Sequence, residues 1–109
     1  MPDHGDVVTA GFVGAMGVKR RPTVVVSSNL YHKHRPDVIL AIITSQVSSA
    51  TSPLDYVLQD WFEAGLRQPS AFRAYFGMAL PADVKVIGHL SERDLAEIRE
   101  RLKLVFEAV

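Results

Sequence analysis

Cysteine is absent from the 109 residues, which excludes disulfides, a thiol nucleophile and cysteine-built zinc sites. No apolar run approaches the roughly 20 residues that a helix needs to cross a bilayer. The opening residues, Met1-Pro2-Asp3-His4, carry neither the basic start nor the apolar core of an export signal, so a cytoplasmic protein without a membrane partner is expected. Net charge is missing too, with twelve Lys and Arg against twelve Asp and Glu. A chain so balanced does not suit indiscriminate polyanion binding. Internal repeats and low-complexity tracts are also absent. What remains has ordinary globular composition, and one domain over residues 1–109 with a modest core is expected.

The zero net charge conceals an uneven distribution. Between Gly11 and Leu40 lie Lys19, Arg20, Arg21, Lys33 and Arg35 against the single carboxylate of Asp37. Local potential, more than total charge, steers a polyanion to a site. His32 and His34 add to the second cluster below neutral pH. The pattern points to one confined anionic site, although a solvated basic loop is the plainer reading of each cluster taken alone.

The stretch Lys19-Arg20-Arg21-Pro22-Thr23-Val24-Val25-Val26-Ser27-Ser28 joins the first cluster to a strand. Pro22 lacks a backbone donor and suits a strand's first residue or an edge. The three valines favour a strand covered on both faces. Residues 6–12 form an earlier strand, and Gly11, Gly14 and Gly17 predict a mobile flap between the two. The glycine spacing is no phosphate-binding fingerprint, because no helix opens behind it. Residues 30–36 read as a cation-rich connection, and Val38 to Ile43 as a second buried strand ending in Thr44-Ser45-Gln46. The two buried strands each end in hydroxyl residues, Ser27-Ser28 and Thr44-Ser45, and can place them together at one rim, unless those residues simply satisfy strand-end backbone groups.

Residues 48–53 read as a turn and 54–58 as a short strand. Residues 60–66 make one turn of helix or an irregular corner packed by Trp61. Over 70–79 the alternation sets Phe72, Ala74, Phe76 and Met78 on one face and Arg73 and Tyr75 on the other. Val84 to Leu90 supplies a last strand, with Gly88 allowing a bulge or close approach. Ser91 caps a C-terminal helix, with Glu92 and Asp94 in its first turn and Asp94 completing a variant capping box. Leu95, Ile98, Leu102, Val105 and Phe106 form its apolar stripe, and Glu97–Arg101 is spaced for an ion pair. The expected class is mainly β with α: five to seven short strands in a small barrel closed by the helix. Helix and strand do not alternate, which excludes a doubly wound parallel sheet.

Five segments, in order and at this spacing, resemble the MazF/PemK family of toxin–antitoxin ribonucleases: Gly5-Asp6-Val7-Val8, Lys19 to Ser27, Ile43-Thr44-Ser45-Gln46, Gly65-Leu66-Arg67-Gln68-Pro69-Ser70 and Ile87 to Leu95. The resemblance implies an SH3-like small β-barrel of the MazF/CcdB type with a C-terminal helix, a homodimer, and a cognate antitoxin as partner. It implies sequence-specific cleavage of single-stranded RNA through the ribose 2′-hydroxyl, without metal or other cofactor. Arg21 and Thr44 match the family's catalytic arginine and threonine. Arg20, Ser45 and Gln46 are their supporting or RNA-contacting neighbours. Lys19, Tyr31, His32, Lys33 and His34 complete the expected RNA-binding set, and Asp6 matches an acidic position read as structural.

The residue chemistry is consistent with that assignment. A guanidinium offers planar paired donors to phosphate oxygens, and a threonine hydroxyl can add another. Charge stabilisation of this kind is often the largest catalytic contribution. The proton transfers stay open between Arg21 and the histidines, since arginine remains protonated while imidazole titrates near neutrality. Phe12, Tyr31 and Gln46 are candidates to stack on or hydrogen-bond exposed bases. Residues 13–18 and 71–76 depart from the family pattern, which bears on sequence preference and on the dimer surface. Two readings without catalysis stand beside this one: a gyrase poison of the CcdB type, and a catalytically silent barrel that only binds. The C-terminus lacks the tryptophan tail expected of the former.

Overall fold

The computed structural model describes residues 2–14 and 17–107. Six strands form one antiparallel sheet: β1 (Asp6–Gly14), β2 (Gly17–Val25), β3 (Val38–Thr44), β4 (Tyr56–Val57), β5 (Ala71–Ala79) and β6 (Lys85–His89). Their order across the sheet is β4-β5-β3-β2-β1-β6. The sheet curls into a half-barrel, and the fold is the expected small barrel with a C-terminal helix. Two helices accompany it, α1 (Asn29–His34) and α2 (Glu92–Val105).

Strand alternation divides the apolar residues between two cores. Val7, Val24, Ala41, Ile43 and Phe72 meet Leu95 and Ile98 of α2 on one side. Val8, Ala10, Val25, Val38 and Leu40 pack on the other. The valine run therefore does bury both faces. The α2 stripe fades toward its C-terminus: Leu95 and Ile98 are buried, whereas Phe106, at the C-cap, is exposed and rests on the Phe76 ring.

Several expectations are corrected. The strand-end hydroxyls do not share a rim: β2 and β3 run antiparallel, so Ser27 and Ser28 lie at the opposite end of the pair from Thr44 and Ser45. The glycine segment is not a flap over 13–18: β1 continues to Gly14 and β2 starts at Gly17, with Val13 paired to Val18. Residues 15–16 lie outside the described residues. Pro22 is not a strand's first residue but sits inside β2, where pairing with β3 has ended, so of the two expected placements the edge is the one it takes. Residues 30–36 contain the short helix α1, capped by the Ser28 hydroxyl. Only Tyr56 and Val57 of residues 54–58 join the sheet. Met78 is exposed rather than sharing the core face of Phe72, and a two-residue register shift in β5 falls opposite Ala41 and Ile42. Asp94 does not close a capping box. Its amide bonds to the Ser91 hydroxyl as expected, but its buried carboxylate accepts from Tyr56 Oη at 2.6 Å and from the amides of Gln59 and Asp60. Burial and this hydrogen bond push the Tyr56 phenol up to about 12.

Candidate functional site

The site originates in one missing donor. The amide of Val26 bonds to Ile39 of β3, so by two-residue alternation the nitrogens of Val24 and Pro22 face β3 as well. Pro22 has no N–H to give. The β2–β3 ladder accordingly pairs Val25 with Leu40, Val24 with Ala41 and Thr23 with Ile42, and ends there. Continued two places, the same register sets Arg21 opposite Thr44. Residues opposite one another on antiparallel strands project from the same face. Here no ladder holds them together, and the strands open into a mouth.

That mouth is part of a cleft of about 610 Å³, lined by Arg21 and Pro22 from β2, by Thr44 at the end of β3 with Ser45 and Gln46 beyond it, and by Gly65 to Gln68 from the facing corner. Thr9, Ile43, Leu66, Ser70 and Ile87 complete it. Arg21 is exposed and has no hydrogen-bonded or ionic partner among the described residues. The Thr44 Oγ1 accepts the Gln46 amide at 3.1 Å, which leaves its hydroxyl hydrogen free to donate toward the cleft. Among the described residues neither a carboxylate nor an imidazole lines the cleft. The arrangement offers cationic and hydroxyl donors to an anion.

The facing corner is built to be rigid. Asp60 takes paired hydrogen bonds from the Arg93 guanidinium, at 2.7 and 2.6 Å, and one from the Ser91 hydroxyl at 2.6 Å. These partners hold its carboxyl down to about 2. Gly65 adopts φ 87°, and a Cβ there would collide with the Ile87 carbonyl, just as one on Gly88 would strike that of Ala64. The two glycines allow the corner to sit directly on β6. The predicted close approach at Gly88 is thus present, together with the irregularity between Val7 and Val8 in β1–β6 pairing.

The remaining predicted residues fall elsewhere. Arg20 points away from Arg21 and bonds to the Thr9 carbonyl and hydroxyl, beside a second hollow that includes Lys85 and Asp83. Lys19 is exposed on β2, two residues from Arg21 and on the same face by alternation. Tyr31, His32, Lys33 and His34 lie on α1, which joins the opposite ends of β2 and β3. The structure therefore does not bring them to the cleft. His32 Nε2 bonds to the Ser27 hydroxyl at 2.6 Å, and the Tyr31 hydroxyl donates to Asp37. Asp6 bonds to His89 Nδ1 and to the Asp3 amide, a structural role. Phe12 lies in β1, paired with Lys19. Sequence reasoning missed Arg67 and Gln68 as site residues, although both stand inside a quoted family segment. Among the described residues no group of His, Asp and Glu is arranged to hold a metal ion, and no helix is long and apolar enough to cross a membrane.

Comparison with known proteins gives a consistent result. Residues 3–106 match the family model described as PemK-like, MazF-like toxin of type II toxin–antitoxin system. A mycobacterial endoribonuclease solved in complex with its cognate antitoxin superposes with a TM-score of 0.77 at 16% identity, covering 100% of both chains. The Mycobacterium tuberculosis toxin MazF-mt6 gives 0.75 at 20% identity, covering 95% of this chain and 98% of that one. A MazE–MazF complex from Deinococcus radiodurans gives 0.75 at 19%, covering 99% and 98%. A search of curated proteins returned no match.

Proposed function

Because the chain belongs to the PemK-like, MazF-like family of type II toxin–antitoxin toxins, we propose that it is an endoribonuclease toxin that cuts single-stranded RNA in the Arg21–Thr44 cleft. The observation that carries the reading is the unzipped end of β2 and β3, where a free guanidinium and a free hydroxyl face the same space. In the proposed reaction the ribose 2′-oxygen attacks phosphorus, the bond to the 5′-oxygen breaks, and a 2′,3′-cyclic phosphate and a 5′-hydroxyl result. Arg21 gives paired hydrogen bonds to the non-bridging oxygens, and the Thr44 hydroxyl gives another. Charge gathering on those oxygens in the transition state is thereby stabilised. With no imidazole in the cleft lining, the 2′ proton passes to water and the leaving oxygen takes a proton from water. The rate then climbs with pH through neutrality instead of following a bell.

Ser45 and Gln46 line the cleft and suit contacts to base edges, which supports sequence-selective cutting. A homodimer, a cytoplasmic location and inhibition by a cognate antitoxin complete the proposal. The relatives solved with antitoxin support the last of these. The test is cleavage of a single-stranded RNA by purified protein in excess chelator. Fragments ending in cyclic phosphate are expected, and a substrate with a 2′-deoxyribose at the cut nucleotide should be inert. Intact RNA beside demonstrably folded protein, or cutting of the deoxy substrate, would contradict it.

A further inference from the structure

A second guanidinium stands on the other wall of the same cleft. Arg67 is exposed, lines the cleft, and has no carboxylate or hydrogen-bonding partner among the described residues. Its base is nonetheless fixed. Leu66, just before it, is buried and its amide bonds to the Trp61 carbonyl. Ser70, just beyond, is buried and donates to the Gln68 carbonyl at 2.9 Å. The corner behind is tied to α2 through Asp60 and Asp94. A free cationic head on a fixed base is the same construction found at Arg21.

Two guanidiniums facing one space with no carboxylate among the lining residues repel each other until anions enter. A single phosphodiester carries one negative charge, and the cleft has the volume of a site for a ligand much larger than one phosphate. We propose that Arg67 binds the phosphodiester next to the scissile one, so that the site grips two consecutive phosphates of the strand. The inference rests on the ribonuclease reading and adds a substrate-binding residue to it. Arg67 sets affinity and strand register, while Arg21 and Thr44 act on the reacting phosphate.

The test uses the wild-type protein, Arg67→Gln and Arg67→Lys with a hexanucleotide centred on a mapped cut site. Parallel substrates replace each flanking phosphate, one at a time, by an uncharged methylphosphonate. Arg67→Gln should raise KM about tenfold, as for the loss of one charge-assisted contact, with kcat within about threefold. Its log–log salt slope should fall by about 0.7, the contribution of one phosphate contact on a single strand. Arg67→Lys should recover most of the affinity. One of the two methylphosphonates should cost the wild type the same factor and cost Arg67→Gln nothing more. Cleavage by Arg67→Gln with unchanged KM and salt slope would overturn the assignment while leaving the ribonuclease reading intact. So would losses that multiply at both flanking positions. RNA left uncut by the wild type would remove both.

Discussion

The β2–β3 pair carries a hydroxyl and a basic cluster at each end, and the two ends differ in what those groups are bonded to. At the α1 end, the Ser27 hydroxyl bonds to His32 at 2.6 Å and accepts the Ile39 amide at 3.0 Å. The Ser27 carbonyl accepts from His4 Nδ1, and the other His4 nitrogen receives the Arg99 guanidinium at 3.1 Å. The cations of α1 occupy its last turn, where they complement the helix dipole. At the Pro22 end the ladder is unmade, the Thr44 hydroxyl hydrogen is free and Arg21 has no partner among the described residues. Similar residue types serve structure where their bonding capacity is filled and become available for chemistry where it is not. Seen this way, the basic charge of a cluster says little by itself.

Substitutions at the two ends should therefore separate rate from stability. The largest effect is expected from Arg21→Gln, a loss of about 10³ in single-turnover rate or more, with thermal unfolding unchanged because the side chain supports nothing. Next comes Asp94→Ala, read by denaturant unfolding. It strands the half-buried Tyr56 hydroxyl and two amides and should cost about 3 kcal/mol, loosening the corner that carries Arg67. Ser27→Ala should cost about 1–2 kcal/mol of stability and leave the rate per folded molecule unchanged. A loss of rate at full folding would erase the distinction between the ends. The smallest effect is in acid. Asp60 is held from its ordinary 3.8 down to about 2, so its contribution to stability is complete above the unfolded value and fades as pH falls toward 2. Arg93→Ala should flatten that part of the unfolding-versus-pH curve.

Much of this was legible in the chain. The valine run, Ile43-Thr44-Ser45 and the Ser91 cap pointed to two doubly buried strands and a closing helix, because apolar period and capping chemistry are local. Arg21 and Thr44 were legible as a pair only through the family resemblance; their alignment depends on the β2–β3 register, which no local pattern encodes. Pro22 suits a strand start or an edge because its missing donor is a local fact, whereas the neighbour it fails to meet is a tertiary one. Helix α1 escaped notice because six residues with no buried side chain show no periodicity. Arg67 lay in plain view, but only the anchoring of its corner to α2 and β6 places it across from Arg21. Asp94 resembled a capping residue since its partners, Tyr56, Gln59 and Asp60, lie more than thirty positions away.

The central claim is that Arg21 and Thr44 act on one phosphodiester. A double-mutant cycle with Arg21→Gln, Thr44→Val and the pair, measured as single-turnover RNA cleavage in chelator, tests it directly. Groups that stabilise the same transition-state oxygens are strongly non-additive, so the double variant should lose far less than the product of the two single losses. Losses that simply multiply, with all three variants folded, would show that the two side chains work at separate places.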